Sequence, residues 1–414
     1  MPWRRRPFRG SDCARALNIN DLREIARRRL PNFIFEYIEG GAEDEATLRR
    51  NRLALEALRF VPRTLVDTRK RHQHIELFGR KCEAPLIIAP TGGNGMISFQ
   101  GDLALARAAA SLGIPFCLSM LSTVSLEQVA AEAPGRLWMQ LYVMEDRELT
   151  EHIVSRAHAA GYEALVFTTD ANIAGSREWD RRNFRRPGRP TARNVADALL
   201  HLRWLYGVLM HGVPRLENFA SYLPAADVTA LGASTIVPKL FQPSISWDDV
   251  RRLRRIWPGR LLVKGVLSAA DAHRAVQCGC DGIVLTNHGG RQLDYCVSPI
   301  EVLQEIVECV AQRMTVVIDG GFRRGTDVIK ALALGAHGVM LGRATLYGLI
   351  AAGEQGARRA LEILTGEIDR TLGLLGCCSI DELGPHMLRG AHLEGRESQA
   401  AQVLRSATKS SPGS

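Results

Sequence analysis

Eight short, nearly continuous apolar runs recur along the middle and C-terminal parts of the chain, at residues 85–90, 114–119, 137–143, 164–170, 261–266, 282–287, 315–320 and 338–343. Amphipathic segments such as LALARAAASLG and ATLYGLIAAGEQGARRALEIL separate most of them. Runs of this length, apolar on consecutive positions rather than alternate ones, predict parallel strands covered on both faces. Eight strand–helix units in succession predict a (β/α)8 TIM barrel, with its working end at the carboxyl ends of the strands. A doubly wound sheet is the competing fold, but the TGGNGM after the first run lacks the third glycine of a dinucleotide fingerprint.

Ahead of the repeat, the spacing predicts an N-terminal helical collar. Asn20 caps a helix from Asp21, Pro31 starts a second that Gly40 and Gly41 close, and a third runs from about Glu43 to Leu58. Residues 1–17 are basic, residues 391–414 are rich in Ser and Gly, and both lack periodic patterning, which predicts disordered ends around one domain at 18–390. The interval between the fourth and fifth runs, residues 171–260, is about three times an ordinary crossover, which predicts a functional insertion at about 186–240.

Composition narrows the setting. The 414 residues are 46% hydrophobic and 23% charged, as in a well-cored globular chain, and carry a net charge of +9 that favours anionic partners. The basic residues are dispersed and no nucleic-acid recognition motif occurs, so nucleic acid is excluded as the partner. Nine cysteines without a CxxC point to a reducing compartment, with neither a metal site nor disulfides. No secretory signal and no run of 18 apolar residues is present, which predicts a cytoplasmic protein or one held peripherally on the cytoplasmic side of the inner membrane. The insertion contains ADALLHLRWLYGVLMHGVPRL, too short and too polar to span a bilayer. It reads either as an interfacial segment on an anionic membrane surface, which the positive charge favours, or as a loop packed on a neighbouring subunit.

Chemistry gathers where the strands stop. The sixth run ends in Asn287, His288, Gly289, Gly290 and Arg291: an imidazole and a guanidinium suited to holding an anion and accepting a proton beside it. Gln140 and Tyr142 end the third run, Thr168 and Asp170 the fourth, and Lys264 the fifth. Asp319, Gly320 and Gly321 end the seventh, and Gly342 and Arg343 the eighth. Taken singly, His288 reads first as a core histidine beside a loop arginine, and Asp170 or Lys264 equally as half of a structural ion pair. Together they describe the removal of two electrons and two protons from an anionic alcohol. Asp170 orients and charges the imidazole, Tyr142 meets the substrate oxygen, and Arg291 with Arg177 binds a carboxylate. Lys264 supplies positive charge where a cofactor becomes anionic. DGGFRRG and LGRA, with Arg323 and Arg343, predict a phosphate across the last two loops.

The ordered motifs FEYIEGGAEDE, APTGGNG, QLYV, TTD with Arg177 seven residues on, LVKGV, NHGGRQLD, DGGFRRG and LGRA resemble the FMN-dependent 2-hydroxy-acid dehydrogenases and oxidases from about residue 18 to 390. The resemblance implies a barrel holding FMN, a small 2-hydroxy acid as substrate, and a homotetramer. It implies catalytic or substrate-binding roles for His288, Asp170, Tyr142, Arg291, Tyr37 and Arg177, of which Tyr37 is suggested by the resemblance alone. It implies cofactor contacts at Lys264, Pro90, Thr91, Gly92, Ser119, Gln140, Thr168, Thr286, Asp319, Gly320, Gly321, Arg323, Gly342 and Arg343. Gly92, Leu121 and the insertion point to the branch that oxidises (S)-mandelate, with a mandelate-like or lactate-like acid converted to its 2-oxo acid and electrons passed to a membrane quinone or similar acceptor. The alternatives are an oxidase that reduces O2 to hydrogen peroxide, an FMN-barrel isomerase, and a non-catalytic surface-binding protein. Abstraction of the C2 proton and abstraction of the hydroxyl proton during hydride transfer use the same groups, so both routes stay open.

Overall fold

The computed structural model describes residues 8–186, 189–224, 228–229 and 240–390. Each of the eight apolar runs contains a strand: β1 (Leu86–Ile88), β2 (Phe116–Leu118), β3 (Leu137–Leu141), β4 (Ala164–Thr168), β5 (Arg260–Val266), β6 (Gly282–Leu285), β7 (Thr315–Ile318) and β8 (Gly338–Leu341). Each pairs in parallel with its neighbours in the chain, and β8 closes on β1 with Val339 opposite Leu86 and Leu341 opposite Ile88. The result is a (β/α)8 barrel.

The strands are apolar on consecutive positions because they serve two cores. Cys117, Trp138, Val166, Leu262, Val284, Val317 and Met340 form a cluster inside the barrel. Their chain neighbours, among them Leu118, Met139, Phe167, Val263, Ile283, Ile318 and Val339, pack outward against the helices. A hairpin of Ile75–Leu77 and Arg80–Cys82 plugs the amino end, burying Leu77 and Cys82 and setting the Phe78 ring 5.8 Å from that of Trp138. With one end sealed, only the carboxyl end is left for a ligand.

The collar is α1 (Ile19–Arg29), α2 (Asn32–Glu39) and α3 (Ala46–Ala57). Helices α4 (Gly101–Ser111), α5 (Leu126–Glu132) and α6 (Arg147–Ala159) follow β1 to β3. The long interval after β4 holds α7 (Glu178–Asn183), α8 (Ala192–Leu200) and α9 (Leu202–His211), and α10 (Trp247–Ile256) returns the chain to β5. Helices α11 (Ala269–Gln277), α12 (Pro299–Val310), α13 (Gly325–Ala333) and α14 (Arg343–Leu375) follow β5 to β8, the last broken at Ala352 and Gly353.

Three expectations need correction. The cap of α1 is Asn18, not Asn20: its side chain accepts from the Asp21 N–H at 3.0 Å, because Ile19 is already committed to the core. Helix α3 begins at Ala46 rather than Glu43, because its first N–H groups are capped from far along the chain, Ala46 and Thr47 donating to the Asp294 carboxylate at 3.1 and 2.7 Å. The N-terminal stretch expected to be disordered is ordered over its described part. Cys13–Arg15 form a 3-10 turn and Ala16 is fully buried, its carbonyl accepting from Arg359. Residues 1–7 and 391–414, expected to be disordered, lie outside the described residues.

Candidate active site

The loop after β6 is built around an unusual backbone. His288, Gly289 and Gly290 all have positive φ, at 56°, 65° and 77°. Two of three successive left-handed residues are glycine for a steric reason: a Cβ on Gly290 would stand 2.7 Å from the Leu48 nitrogen. The cost of holding His288 there is met by side-chain bonds on both flanks. Its N–H donates to Thr286 Oγ1 at 2.9 Å, and Asn287 pairs reciprocally with Asn51 of α3 at 2.8 and 2.9 Å. The Ala42 N–H reaches the Gly290 carbonyl at 2.8 Å, so the collar and this loop are one unit.

That backbone turns the His288 ring toward the end of β4, where Nδ1 lies 3.0 Å from Asp170 Oδ1. Burial pushes the Asp170 carboxyl up, but the His288 imidazole and the Lys264 ammonium outweigh it and hold the group below its ordinary range. Asp170 is therefore an anion with one oxygen on the imidazole. Its Oδ2 is buried without a hydrogen bond among the described residues. Gln292 donates to the Asp170 carbonyl at 2.9 Å and accepts from the Gly175 N–H at 2.8 Å, tying the loops after β4 and β6 together.

Cations crowd the opposite side. The Arg291 and Arg177 guanidinium carbons lie 5.2 and 6.0 Å from the centre of the Tyr37 ring. Burial above all, with repulsion from Arg177, brings Arg291 down to about 10. Arg177 Nε stands 2.9 Å from Asp180 Oδ2, too poorly aligned to be a hydrogen bond. Arg291 spends Nη1 on the carbonyls of Tyr37 and Gly40 at 2.7 and 3.0 Å, leaving its Nε and Nη2 donors for another acceptor. Half-buried positive charge with donors to spare suits a carboxylate.

Lys264, buried at the end of β5, lies 3.8 Å from Asp319 Oδ2, and Asp319 Oδ1 accepts from Thr286. Ser119 Oγ donates to Gln140 Oε1 at 3.2 Å, and Gln140 Nε2 to Thr168 Oγ1 at 3.1 Å. One cavity of about 810 Å³, within the ~300–1,000 Å³ of small-molecule sites, collects most of these groups. Tyr37, Tyr142, Arg177, His288 and Arg291 line it, as do Pro90, Thr91, Gly92, Ser119, Lys264, Asp319, Gly320, Gly321, Arg323, Gly342 and Arg343. Asp170 stands behind His288, while Gln140, Thr168 and Thr286 sit beneath the lining in the hydrogen bonds just described. Tyr142 is half-buried against Phe241, ring centres 4.5 Å apart, and desolvation pushes its phenol up.

The donor set fits FMN. At the β7–β8 end, the Arg323 guanidinium stands 3.9 Å from Glu39 and over the Tyr347 ring at 5.1 Å. Arg343 uses three of its five N–H groups on the carbonyls of Ile38, Gly40 and Gly289 and keeps two. Among the described residues nothing lies within 4 Å of the point where a Gly342 side chain would begin, so the end of β8 opens into the cavity. Two arginines beside glycine backbone make a phosphate seat, and Lys264 places a cation deeper in the cavity.

Residues without a signal of their own complete the walls: Phe33 and Ile34 of α2, Met96, Leu216 and Phe241. A hydrophobic residue outside a periodic segment carries no mark of lining a cavity rather than a core. Asp180, also in the wall, followed the quoted Arg177 by three residues, the only local hint of the pair.

A family model described as FMN-dependent dehydrogenase matches residues 26–390. The chain is 46% identical over 374 residues to an (S)-mandelate dehydrogenase of Pseudomonas putida, covering 90% of this chain and 93% of that one. It is 39% identical to an L-lactate dehydrogenase of Bartonella quintana, covering 88% and 95%. A solved structure of the monotopic membrane protein (S)-mandelate dehydrogenase superposes with a TM-score of 0.87 at 44% identity, covering 91% of this chain and all of that one.

Proposed function

The chain belongs to the FMN-dependent dehydrogenase family and oxidises a 2-hydroxy acid with FMN as cofactor, and from that premise we propose that its substrate is a bulky, aromatic (S)-2-hydroxy acid of the mandelate kind. The observation that carries the proposal is the juxtaposition in one cavity of the His288–Asp170 pair at 3.0 Å, two arginines flanking Tyr37, and an apolar wall of Phe33, Met96, Leu121, Leu216 and Phe241. Arg291 and Arg177 take the carboxylate, with Tyr37 beside it. Tyr142 donates to the 2-oxygen, its raised phenol remaining protonated. His288 takes the proton and Asp170 stabilises the imidazolium that results. The 46% identical relative named for (S)-mandelate supports the substrate class.

FMN, when bound, supplies the two-electron acceptor. Arg323, Arg343 and the glycines at the ends of β7 and β8 would hold its phosphate, and Lys264 would place a positive charge beside its ring. Pro90, Thr91, Gly92 and Ser119 line the remaining contact surface, with Gln140, Thr168 and Thr286 fixing the strand ends beneath. A Cβ on Gly92 would stand 2.9 Å from the Leu121 Cβ, so glycine here lets the loop after β1 pack close against Leu121. The electron acceptor is a membrane quinone, and the assembly is a homotetramer. Anaerobic addition of (S)-mandelate is expected to bleach the yellow enzyme at least about tenfold faster than equimolar (S)-lactate, the scale set by lost apolar contact in a pocket. A faster response to lactate would reverse the assignment, and stoichiometric oxygen consumption would make the protein an oxidase.

We also propose that α8 and α9 seat the enzyme on an anionic bilayer. Leu199, Leu200, Leu202, Tyr206, Leu209 and Met210 are all exposed on this pair, and no helix among the described residues is long and apolar enough to cross a membrane. Burial and the neighbouring Arg203 hold Arg29 below its ordinary value, so cations of α1 and α9 share the same flank. The monotopic relative supports attachment to one leaflet, here the cytoplasmic face of the inner membrane. Vesicles containing phosphatidylserine should carry the enzyme down on centrifugation, whereas a Leu202→Gln, Leu209→Gln double variant should stay in the supernatant with its anaerobic bleaching intact. A variant that still pellets contradicts the seat, and one that instead loses its oligomeric mass assigns the face to a neighbouring subunit.

A further inference from the structure

The other face of the α8–α9 pair is turned inward and carries Asn194, Asp197 and Trp204. Asp197 Oδ2 accepts the Asn32 N–H at 2.6 Å, at the first turn of α2. That turn has no side-chain cap of its own, since its cap position is Pro31. Asp197, about 165 residues away in sequence, therefore supplies the anion that the amino end of a helix favours. At the other end, Arg291 donates to the Tyr37 and Gly40 carbonyls and Arg343 to those of Ile38 and Gly40. A two-turn helix carrying Tyr37 is thus held between a carboxylate at its positive end and two guanidiniums at its negative end.

Trp204 of α9 makes the second link. Its indole N–H donates to the Met96 carbonyl at 2.8 Å, and its ring meets that of Phe33 edge-on at 6.0 Å. Met96 and Phe33 both line the cavity. Asn183 of α7 adds a hydrogen bond to Glu36 on the same helix, and Asn194 of α8 donates to the Asn183 carbonyl at 2.6 Å. The contacts of Asp197, Asn183 and Trp204 thus join the segment after β4 to α2 and to the Met96 loop, two walls of the cavity.

We propose that Asp197 and Trp204 are positioning residues for substrate: they fix α2 and the Met96 loop, and through them the placement of Tyr37 and Phe33 against the hydroxy acid. The inference rests on the reading of Tyr37 as a substrate contact. It predicts a selective defect. A short helix that has lost a cap still folds under two arginines, but samples more positions at its free end, so substrate binding weakens while the reacting groups on β4 and β6 are untouched.

The test is stopped-flow anaerobic reduction of the purified FMN-loaded enzyme by (S)-mandelate, for Asp197→Ala, Asp197→Asn and Trp204→Phe beside Tyr37→Phe. Asp197→Ala and Trp204→Phe are expected to raise the half-saturating concentration about 3- to 10-fold, the scale of a lost cap or buried hydrogen bond. The limiting rate should change less than about twofold, because the lost interaction is shared by ground and transition states. Asp197→Asn, which keeps an acceptor oxygen, should return to within about twofold of the parent. Unchanged half-saturation in both Asp197→Ala and Trp204→Phe, beside an affected Tyr37→Phe, overturns this inference alone. An unaffected Tyr37→Phe overturns the reading beneath it. Parallel loss of affinity, limiting rate and FMN content, with Asp197→Asn no better than Asp197→Ala, reduces both residues to general stability and also overturns it.

Discussion

His288→Ala is expected to bind FMN normally and to be reduced by substrate about four orders of magnitude more slowly than the parent enzyme, a loss of roughly 5.5 kcal/mol in the barrier. The size follows from what the ring has around it. Its Nδ1 is engaged by Asp170 at 3.0 Å, so the opposite nitrogen is the one that faces the cavity. Asp170, held ionised by the imidazole and Lys264, keeps a negative charge beside the ring. Neither Tyr142 nor the arginines can replace it as the acceptor: burial keeps the Tyr142 phenol protonated, and the arginines only donate. The measurement is the single-turnover rate of anaerobic flavin bleaching, with the flavin absorbance as the check on cofactor loading. A rate within about tenfold of the parent would remove His288 from the reaction.

Arg291→Ala should lower kcat/KM by about three orders of magnitude, roughly 4 kcal/mol, the range found when one partner of a buried, hydrogen-bonded charge pair is removed. Two losses combine. On the proposed reading the substrate carboxylate gives up its forked donor, and the carbonyls of Tyr37 and Gly40 lose the Nη1 group that anchors the end of α2. Arg291 is costly to keep: burial and Arg177 bring it down to about 10, a penalty that persists only where a bound anion relieves it. Arg291→Lys keeps the charge but has no fork, and should recover no more than about tenfold of the loss. Steady-state assays across a range of (S)-mandelate concentrations decide it; full activity in Arg291→Lys would mean that charge alone matters there.

Much of this site could be read one strand at a time. His288, Asp170, Lys264, Tyr142, Arg291, Arg323 and Arg343 are all polar residues at the ends of apolar runs, and the barrel turns eight consecutive run-ends into one rim. Tyr37 carried no such mark. It lies on an amphipathic helix where an aromatic residue ordinarily packs, and only the fold shows its ring between Arg177 and Arg291. Phe33, Met96, Leu216 and Phe241 were hidden for the same reason.

The order of strands and helices, the closed parallel barrel and the chemical types at its mouth follow from the sequence alone, because they depend on local periodicity and on the rule that a buried polar group must have a purpose or a partner. The ends of the collar helices do not. Asp294 caps α3 across about 248 residues of chain and Asp197 caps α2 across about 165, so the start of each helix is decided by a side chain that no local window contains. The tertiary structure alone decided the placement of the insertion, too, with apolar side chains exposed outward and Asp197 and Trp204 turned toward α2 and Met96. Periodicity records that a helix has two faces; what each face meets depends on groups brought together only when the barrel closes.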